Sequence, residues 1–274
     1  MEHYKFSART AFARIQPPVK SGLGNLGARC RKLRLALKLA SWRNLRATFA
    51  ACPLCRTNTP FIKLDNNLIA IRCTRCRASA ITCSLVCVLN KTVPELENKS
   101  VYELSSRGSL YDYLKRESGR LVGSEYYDDI ALGQTKNGVL CQNVECLTFP
   151  DQSFDVCTST EVFEHVADDR RGFSEIYRVL KRGGVFVFTV PLGEGETTRE
   201  RARRLASGEI EYMLPAEYHG DQIRGWGKVL VYRDYGRDIV SRLRSCGFGA
   251  AEIHDPSALL PWKQARLVVV GYKH

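Results

Sequence analysis

Apolar and polar positions alternate in blocks through the second half of the chain, and one block predicts a strand, a helix and a second strand. Phe154–Cys157 is a short apolar run, as expected for a strand buried on both faces. Ile176, Val179 and Leu180 lie three and four positions apart, which places them on one face of a helix. Val185–Val190 is a second apolar run. This order is typical of a doubly wound α/β sheet.

The boundaries of this block point to a site. The Gly183-Gly184 pair is expected to end the helix before the second strand begins. Ligands of open α/β sheets bind beyond the carboxyl ends of the parallel strands. Polar residues follow the first strand of the block at that position, and they are Thr158, Glu161, Glu164 and His165.

Other elements follow from the same periodicities. Helices are expected over residues 78–89 and 235–246, and residues 267–272 form the last strand. The charged stretch Thr197–Leu205 predicts a helix that faces solvent.

The net charge of +12 is concentrated at the start of the chain, because residues 1–50 hold eleven Lys or Arg and one acid. Residues 1–28 are rich in Gly, Ser, Ala and Arg and predict no packed structure. Over residues 29–46, Leu33, Leu37 and Ala40 share one helical face that basic side chains surround. Such a basic helix can dock on the rest of the protein without binding a ligand. Alternatively, it can bind an anionic membrane surface or the phosphate backbone of RNA. An Arg-rich start also fits a mitochondrial transit peptide.

Composition and the absence of long apolar runs indicate in which cellular compartment the protein is expected. The chain has no run of about 18 apolar residues, so no transmembrane segment is expected, and no apolar segment near its start fits a signal peptide. Eleven cysteines without a secretory signal indicate a reducing compartment with free thiols or metal. We therefore expect a cytoplasmic protein, with peripheral attachment to a membrane surface as the alternative.

Two C-x2-C pairs predict a structural zinc site. Cys52 and Cys55 are separated from Cys73 and Cys76 by seventeen residues, which is a zinc-ribbon spacing. Two such turns complete a tetrahedral shell of four thiolates with no open position, so the ion would stabilise folding and activate no water. The alternatives are four free cysteines or a shell that draws on Cys83 and Cys87, four residues apart in the predicted helix. The segment between the two pairs predicts a hairpin.

The stretch Leu147–Pro191 resembles the class I S-adenosylmethionine-dependent methyltransferases. It contains their FPD-x-SFD motif, then an EH pair, then an RVLK-x-GG turn followed by a buried strand that ends in proline. The resemblance implies a Rossmann-like, mostly parallel sheet of seven strands and S-adenosylmethionine as cofactor. It also implies that residues 91–274 form the methyltransferase domain, after the basic arm (1–47) and the zinc ribbon with its connecting helix (48–90).

The resemblance assigns the first cofactor-binding loop to residues 103–109, with a departure. The family has an acid followed by glycines that let the backbone approach the ligand. Here the acid is Glu103, and Gly108 is the single glycine, one place out of register. Ser105, Arg107 and Ser109 occupy the family's glycine positions. The resemblance makes Glu103, Ser105 and Gly108 cofactor-binding residues, and a methyltransferase fold that binds no cofactor is the alternative.

Two further strand ends carry matching residues. Glu125 would accept hydrogen bonds from the ribose hydroxyls of the cofactor, and Tyr126 would pack on its adenosine. Asn143 and Val144 stand where the family holds the adenine, with Asn in place of the usual Asp. Glu161, after the fourth strand, completes the predicted cofactor set.

Methyl transfer needs an aligned nucleophile, and a base assists when the acceptor is a hydroxyl. The candidates for catalysis are His219, Glu161 and His165. His219 lies in the polar, aromatic segment Leu214–Asp221, which in this family covers the acceptor. We expect O-methylation of a small-molecule or saccharide (glycan) acceptor. The alternatives are an RNA base methyltransferase that binds RNA through its ribbon and arm, and a non-catalytic binding protein.

Overall fold

The computed structural model describes residues 46–63, 68–221 and 227–274. All of these belong to one unit, Arg43–His274. The predicted basic arm and its amphipathic helix lie outside the described residues, apart from Arg46 and Ala47. Among the described helices, none has the length and apolarity that crossing a membrane requires.

Helices and strands alternate through the middle of the chain. The described helices are α1 (Ala80–Thr92), α2 (Ser109–Glu117), α3 (Asp169–Val179) and α4 (Ile239–Ser245). The strands, in chain order, are β1 (Arg46–Ala51), β2 (Asn58–Lys63), β3 (Ile71–Cys73), β4 (Ser100–Glu103), β5 (Arg120–Glu125), β6 (Thr135–Lys136), β7 (Val139–Cys141), β8 (Phe154–Thr160), β9 (Leu180–Thr189), β10 (Arg199–Glu200), β11 (Ala202–Arg204), β12 (Ile210–Tyr212), β13 (Tyr218–Asp221), β14 (Gly227–Leu230), β15 (Arg233–Asp234), β16 (Ala250–His254) and β17 (Val268–Tyr272).

A mixed sheet forms the centre of the fold, with strand order β16-β17-β9-β8-β4-β5-β7-β6. The pairs β9–β8, β8–β4, β4–β5 and β5–β7 are parallel, whereas β17 runs antiparallel to both of its neighbours. The predicted α/β class is therefore confirmed. The sheet has eight strands in the described residues, so the predicted number of seven is wrong.

The additional strand is β6, and a tight hairpin explains it. Asn137 and Gly138 connect β6 to β7 with positive φ angles of 53° and 77°. A two-residue Asn-Gly turn with positive φ at both positions matches the right-handed twist of paired strands. The hairpin adds a two-residue strand to the edge of the sheet.

Side chains of the central strands alternate between two apolar clusters, one on each face of the sheet. In β9, Val185 and Val187 belong to the cluster that contains α1 and α2, while Phe186 and Phe188 belong to the cluster that contains α3 and α4. Successive residues of a strand point to opposite faces, so helices cover both faces of the sheet.

The cysteine-rich segment forms a three-stranded antiparallel sheet, β1-β2-β3, rather than a simple hairpin. Cys52, Leu54 and Phe61 lie in the same apolar cluster as Val101 and Val187 of the central sheet. The ring of Phe61 also packs against Trp262, with ring centroids 4.9 Å apart. We call this three-stranded sheet with its cysteine turns the ribbon. The ribbon and the central sheet share one apolar core.

The predicted helix over Thr197–Leu205 is wrong, because this stretch forms strands β10 and β11. Arg199 lies opposite Asp234 on β15, and their side chains form an ion pair of 3.0 Å. Arg203 and Glu211 pair in the same way between β11 and β12. Opposite charges across strands stabilise a sheet, and these partners are 35 and 8 positions away in the sequence.

Two other boundaries differ from the prediction. α3 ends at Val179, and the Gly183-Gly184 pair lies inside β9 rather than ending the helix. Gly183 has a φ of 74°, and the register between β8 and β9 shifts at this point. A bulge with a glycine of positive φ accounts for both observations. The last helix is shorter than the predicted 235–246, at Ile239–Ser245.

Candidate active site

The carboxyl ends of β4 and β5 bring two predicted acids to one edge of the sheet. Glu103 pairs in register with Thr158 of β8, and the Thr158 hydroxyl donates a hydrogen bond to Glu103 Oε2. Glu103 is fully buried, and this burial raises the pKa of its carboxyl to about 8. Glu125, at the end of β5, is also buried.

The loop after β4 holds Glu125 in place. Its Oε1 accepts hydrogen bonds from Ser105 Oγ at 3.1 Å and from both the backbone N–H and Oγ of Ser106, each at 3.0 Å. The Arg107 side chain stands 4.0 Å from the same oxygen. Ser105, at a position where the resemblance expects a glycine, and its neighbour Ser106 therefore connect the two strand ends. We name Glu103, residues 105–108 and Glu125 the β4–β5 edge.

Gly108 opens a helix terminus toward solvent. It has a φ of 95°, which L side chains rarely adopt, and no described atom lies within 4 Å of the point where a Cβ would stand. It precedes α2, whose first turn has no side-chain cap. Backbone N–H groups at such a terminus can bind an anionic group.

Three further residues predicted to bind the cofactor lie after β5 and β7, and the last one, Glu161, follows β8. Tyr126 follows Glu125, and its side chain is exposed. Asn143 Oδ1 accepts a hydrogen bond of 2.9 Å from the backbone N–H of Glu145, which closes a turn. Val144 is half-buried against the apolar cluster of α3. The amide nitrogen of Asn143 is not part of this turn bond.

A second group of polar residues surrounds the end of β8, and we name it the β8 pocket. Ser159 Oγ and Thr160 Oγ1 are buried and have no hydrogen-bond partner among the described residues. Glu161 has a positive φ of 53°, and its Oε2 accepts a hydrogen bond of 2.9 Å from Arg266. Burial raises the pKa of Glu161, and the guanidinium of Arg266 opposes this effect.

Glu164 is the most isolated acid of the β8 pocket. Its side chain is 2% exposed, and neither carboxyl oxygen has a hydrogen-bond partner in the part of the chain that the structure describes. Burial, followed by the neighbouring charge of Glu161, raises its pKa well above the ordinary value. A buried carboxyl without a hydrogen-bond donor is costly in a folded protein. A bound ligand can supply such a donor.

Two histidines complete the β8 pocket from different elements. His165 lies in the 3₁₀ turn Phe163–His165, and its Nε2 is 3.7 Å from Glu164 Oε1. His219 lies on β13 and is half-exposed, and its Nε2 is 3.4 Å from Glu217 Oε1. The two rings meet edge to face with centroids 5.0 Å apart. The structure thus brings together all three residues predicted for catalysis.

Sequence reasoning missed other members of the β8 pocket. Arg266 reaches Glu161 across 105 positions of the chain. It lies in the segment before β17, which carries no motif. Ser159 and Thr160 could have been found, because they are polar residues that continue an apolar strand to its carboxyl end.

The four paired cysteines converge in the ribbon. Cys52 Sγ lies 3.6 Å from Cys76 Sγ, and Cys55 Sγ lies 3.9 Å from Cys73 Sγ. All four sulfurs fall within 4.8 Å of one another. Cys83 of α1 hydrogen-bonds to Cys52 and lowers the pKa of that thiol.

The two cysteine turns have the same backbone geometry. Arg56 and Arg77, each directly after the second cysteine of its pair, have φ angles of 53° and 62°. Their backbone N–H groups donate to the carbonyls of Cys52 and Cys73 at 2.8 and 3.0 Å. The donor set of four sulfurs is the one that structural zinc prefers.

Comparison with known proteins identifies the segment around these sites. Residues 105–188 match the family model described as "Methyltransferase domain". The chain is 25% identical over 166 residues to malonyl-[acyl-carrier protein] O-methyltransferase of Yersinia pestis, an alignment that covers 58% of this chain and 56% of the relative. It is 30% identical over 103 residues to ubiquinone biosynthesis O-methyltransferase of Coxiella burnetii, with 34% of this chain and 44% of the relative covered.

The chain therefore spans about half the length of these two curated relatives. Among solved structures, an S-adenosylmethionine-dependent methyltransferase from Mesorhizobium loti aligns with a TM-score of 0.45 and 16% identity. That alignment covers 69% of this chain and 98% of the other.

Proposed function

Residues 105–188 carry a methyltransferase domain, and on this premise we propose that the chain transfers a methyl group from S-adenosylmethionine to an oxygen of a small-molecule or saccharide acceptor. The unpaired carboxyl of Glu164 in the β8 pocket is the observation that carries the proposal. It lies beyond the strand next to Glu103, as expected for an acceptor site beside a cofactor site. The names of the two curated relatives, both O-methyltransferases, support oxygen as the acceptor atom.

The residues of the β4–β5 edge fit the cofactor. The uncapped first turn of α2, opened by Gly108, offers N–H groups to a carboxylate. Glu103 is a buried acid that can face an ammonium group, and Glu125 can accept from ribose hydroxyls beside the exposed ring of Tyr126. Asn143 and Val144 would hold the adenine. When bound, S-adenosylmethionine supplies an activated methyl group and a good leaving group.

The β8 pocket would bind and activate the acceptor. His219 or His165 would take the proton from the acceptor hydroxyl, and Glu161, fixed by Arg266, would orient the acceptor. The pocket is buried at Glu164 and open at His219, so it can exclude water from the reacting atoms while admitting an acceptor.

Two measurements test this function in order. Calorimetric titration with S-adenosylhomocysteine should show binding to one site per chain. Transfer of radiolabelled methyl groups should then favour phenol and sugar hydroxyls over matched amines. Failure to bind S-adenosylhomocysteine would favour the alternative of a non-catalytic protein with this fold, and labelling of amines alone would overturn O-methylation.

An RNA base is the second candidate acceptor, and a surface cavity beside the cysteine turns favours it. The cavity has a volume of about 350 Å³, and its lining includes Arg56, Arg75 and Arg116. Phosphate contacts weaken steeply with salt. Methylation of RNA that falls with added salt would support this candidate, whereas small hydroxyl acceptors that react without RNA would exclude it.

We also propose that Cys52, Cys55, Cys73 and Cys76 bind one structural zinc ion. The convergence of their sulfurs and the matched turns support the proposal. Elemental analysis of the purified protein should give about one zinc per chain. Cys73→Ser should lower that content and the melting temperature, and Cys246→Ser, a half-buried thiol outside the ribbon, should change neither.

A further inference from the structure

The β8 pocket contains a set of side chains suited to a second metal ion, separate from the cysteine turns. One ligand atom from each of Glu164, His165 and His219 falls within 4.8 Å of the others. Glu164 Oε1 and His165 Nε2 are 3.7 Å apart, close to the separation of two ligands on one small ion. The three residues come from two elements, the 3₁₀ turn after β8 and strand β13.

His165 is oriented as a metal-binding histidine. Its Nδ1 lies 2.9 Å from the backbone carbonyl oxygen of Leu230. A carbonyl can only accept, so Nδ1 carries the hydrogen, and in the neutral ring the lone pair is on Nε2, the nitrogen 3.7 Å from Glu164 Oε1. A backbone carbonyl that fixes the tautomer and ring orientation in this way is the usual support of a metal-binding imidazole.

His219 has a comparable support. Its Nε2 is 3.4 Å from Glu217 Oε1, while Glu217 Oε2 is 3.1 Å from Arg201. A carboxylate that is itself held by a cation restrains the ring. The imidazole is 40% exposed, which leaves one side of the set open to a ligand from solvent.

A second observation on Glu164, its lack of a hydrogen-bond donor, also points to a ligand. The side chain is 2% exposed, and neither oxygen has a hydrogen-bond partner among the described residues. Glu161, the nearest other acid, is already paired with Arg266 at 2.9 Å. A cation between Glu164 and the two imidazoles would supply the missing partner.

We propose that Glu164, His165 and His219 bind a divalent first-row transition-metal ion. One carboxylate and two imidazoles suit zinc, manganese or iron(II), whereas magnesium and calcium prefer oxygen ligands alone. The four-sulfur set of the ribbon is chemically different, so the two sites would select different ions. The ion would join β13 to the turn after β8, with its open side toward solvent at His219. The metal binding itself does not depend on the methyl-transfer function. A coordinated imidazole nitrogen cannot also take a proton, so with the ion bound the ion rather than a histidine would activate an acceptor hydroxyl.

Cobalt(II) is a suitable probe because the two sites give different spectra. The full chain is first loaded with one equivalent of zinc, which fills the cysteine site, and is then titrated with cobalt(II) in the absence of cofactor. We expect one further equivalent to bind, with visible absorption bands and no thiolate-to-cobalt charge transfer. Absence of binding beyond the zinc equivalent would overturn the proposal, as would charge-transfer bands alone.

Variants assign the ligands. His219→Ala and Glu164→Gln should each weaken cobalt binding by about 100-fold or more, the upper range measured for residues that only support a ligand. His254→Ala removes a different histidine that is paired with a carboxylate, Glu252 at 3.1 Å, and should leave binding unchanged. Equal affinity in His219→Ala would overturn the assignment.

Two controls separate the loss of metal binding from misfolding and from damage to the β4–β5 edge. Circular dichroism with a thermal melt shows whether each variant folds, and His219 on its half-exposed strand is the residue least needed for packing. S-adenosylhomocysteine binding, measured in the same samples, reports on the β4–β5 edge. A variant that loses cobalt and keeps S-adenosylhomocysteine supports the metal site whatever the acceptor is.

Discussion

The β4–β5 edge and the β8 pocket differ in how completely their buried polar atoms are paired. Glu125 accepts three hydrogen bonds from the serines of its loop, and Glu103 accepts one from Thr158. Glu164 accepts none among the described residues. Buried polar groups are nearly always paired in folded proteins. The acids of the edge are therefore paired with donors of the chain itself, whereas the described residues supply no hydrogen-bond donor to Glu164.

The largest effect is expected on the rate of methyl transfer, when a side chain of the β8 pocket is removed. His219→Ala should lower methyl transfer by about 100-fold or more, because it removes a proposed base and acceptor contact. Affinity for S-adenosylhomocysteine should stay within about twofold, since His219 is not part of the β4–β5 edge. Initial rates at saturating cofactor and calorimetry measure the two quantities.

His254→Ala is the matched control for this variant, because its ring also pairs with a carboxylate but lies on β16. It should leave both quantities unchanged. Equal turnover of His219→Ala and the unmodified protein would remove His219 from the mechanism.

A second test uses the raised pKa of Glu103. The folded carboxyl has a pKa of about 8, above its ordinary value of 4.5, so the folded state holds a proton that the unfolded state releases between these values. Its contribution to stability is therefore complete below about pH 4.5 and is lost as the pH rises through about 8.

Glu103→Gln keeps the shape of the side chain and removes the titration. The free energy of unfolding of the unmodified protein should fall by a few kcal/mol more than that of the variant between about pH 5 and pH 9. Urea unfolding at a series of pH values gives both curves. Parallel curves would show that burial of Glu103 does not govern the pH dependence.

A smaller effect is expected from a change at Glu125, and it concerns the affinity for S-adenosylhomocysteine. Glu125→Ala removes the acceptor of three loop hydrogen bonds and the proposed acceptor for the ribose hydroxyls, so S-adenosylhomocysteine should bind about ten- to thirtyfold more weakly. Turnover at saturating cofactor should change less. Glu95→Ala, an exposed acid before β4, should leave the affinity unaltered. If Glu125→Ala lowered turnover and left the affinity for S-adenosylhomocysteine unchanged, Glu125 would not be a cofactor-binding residue.

The smallest expected effect concerns one loop hydroxyl. Ser106→Ala removes one of the two bonds that Ser106 makes to Glu125 and keeps the backbone N–H bond. S-adenosylhomocysteine should bind about two- to fivefold more weakly, as for one hydrogen bond of ordinary strength. An effect as large as that of Glu125→Ala would mean that the hydroxyl contacts the cofactor directly.

Local patterns made the central elements predictable. The apolar runs of β8 and β9 and the spacing of Ile176 and Val179 depend on neighbours a few residues away, and their strands and helix are observed. The turns of the cysteine pairs are also local. By contrast, Asn137-Gly138 is a strong hairpin signal that the prediction overlooked, and it accounts for the eighth strand.

Long-range partners explain what could not be predicted. Charge alternation in Thr197–Leu205 fits an exposed helix equally well. The stretch forms strands because it pairs with β12, eight positions further on, and with the more distant β15, where Asp234 is 35 positions from Arg199. In the β8 pocket, Arg266 reaches Glu161 from the far end of the chain. No spacing rule connects such residues, because the strand order of the sheet brings them together.

The ribbon shares its apolar core with the central sheet, and this has a consequence for how the protein can be divided. Cys52 and Cys73 lie in one cluster with Val101 and Val156, so a chain cut before β4 would leave this face of the sheet uncovered. The cysteine-rich segment therefore serves as a wall of the core of the central sheet, and we expect a chain shortened before β4 to lose solubility.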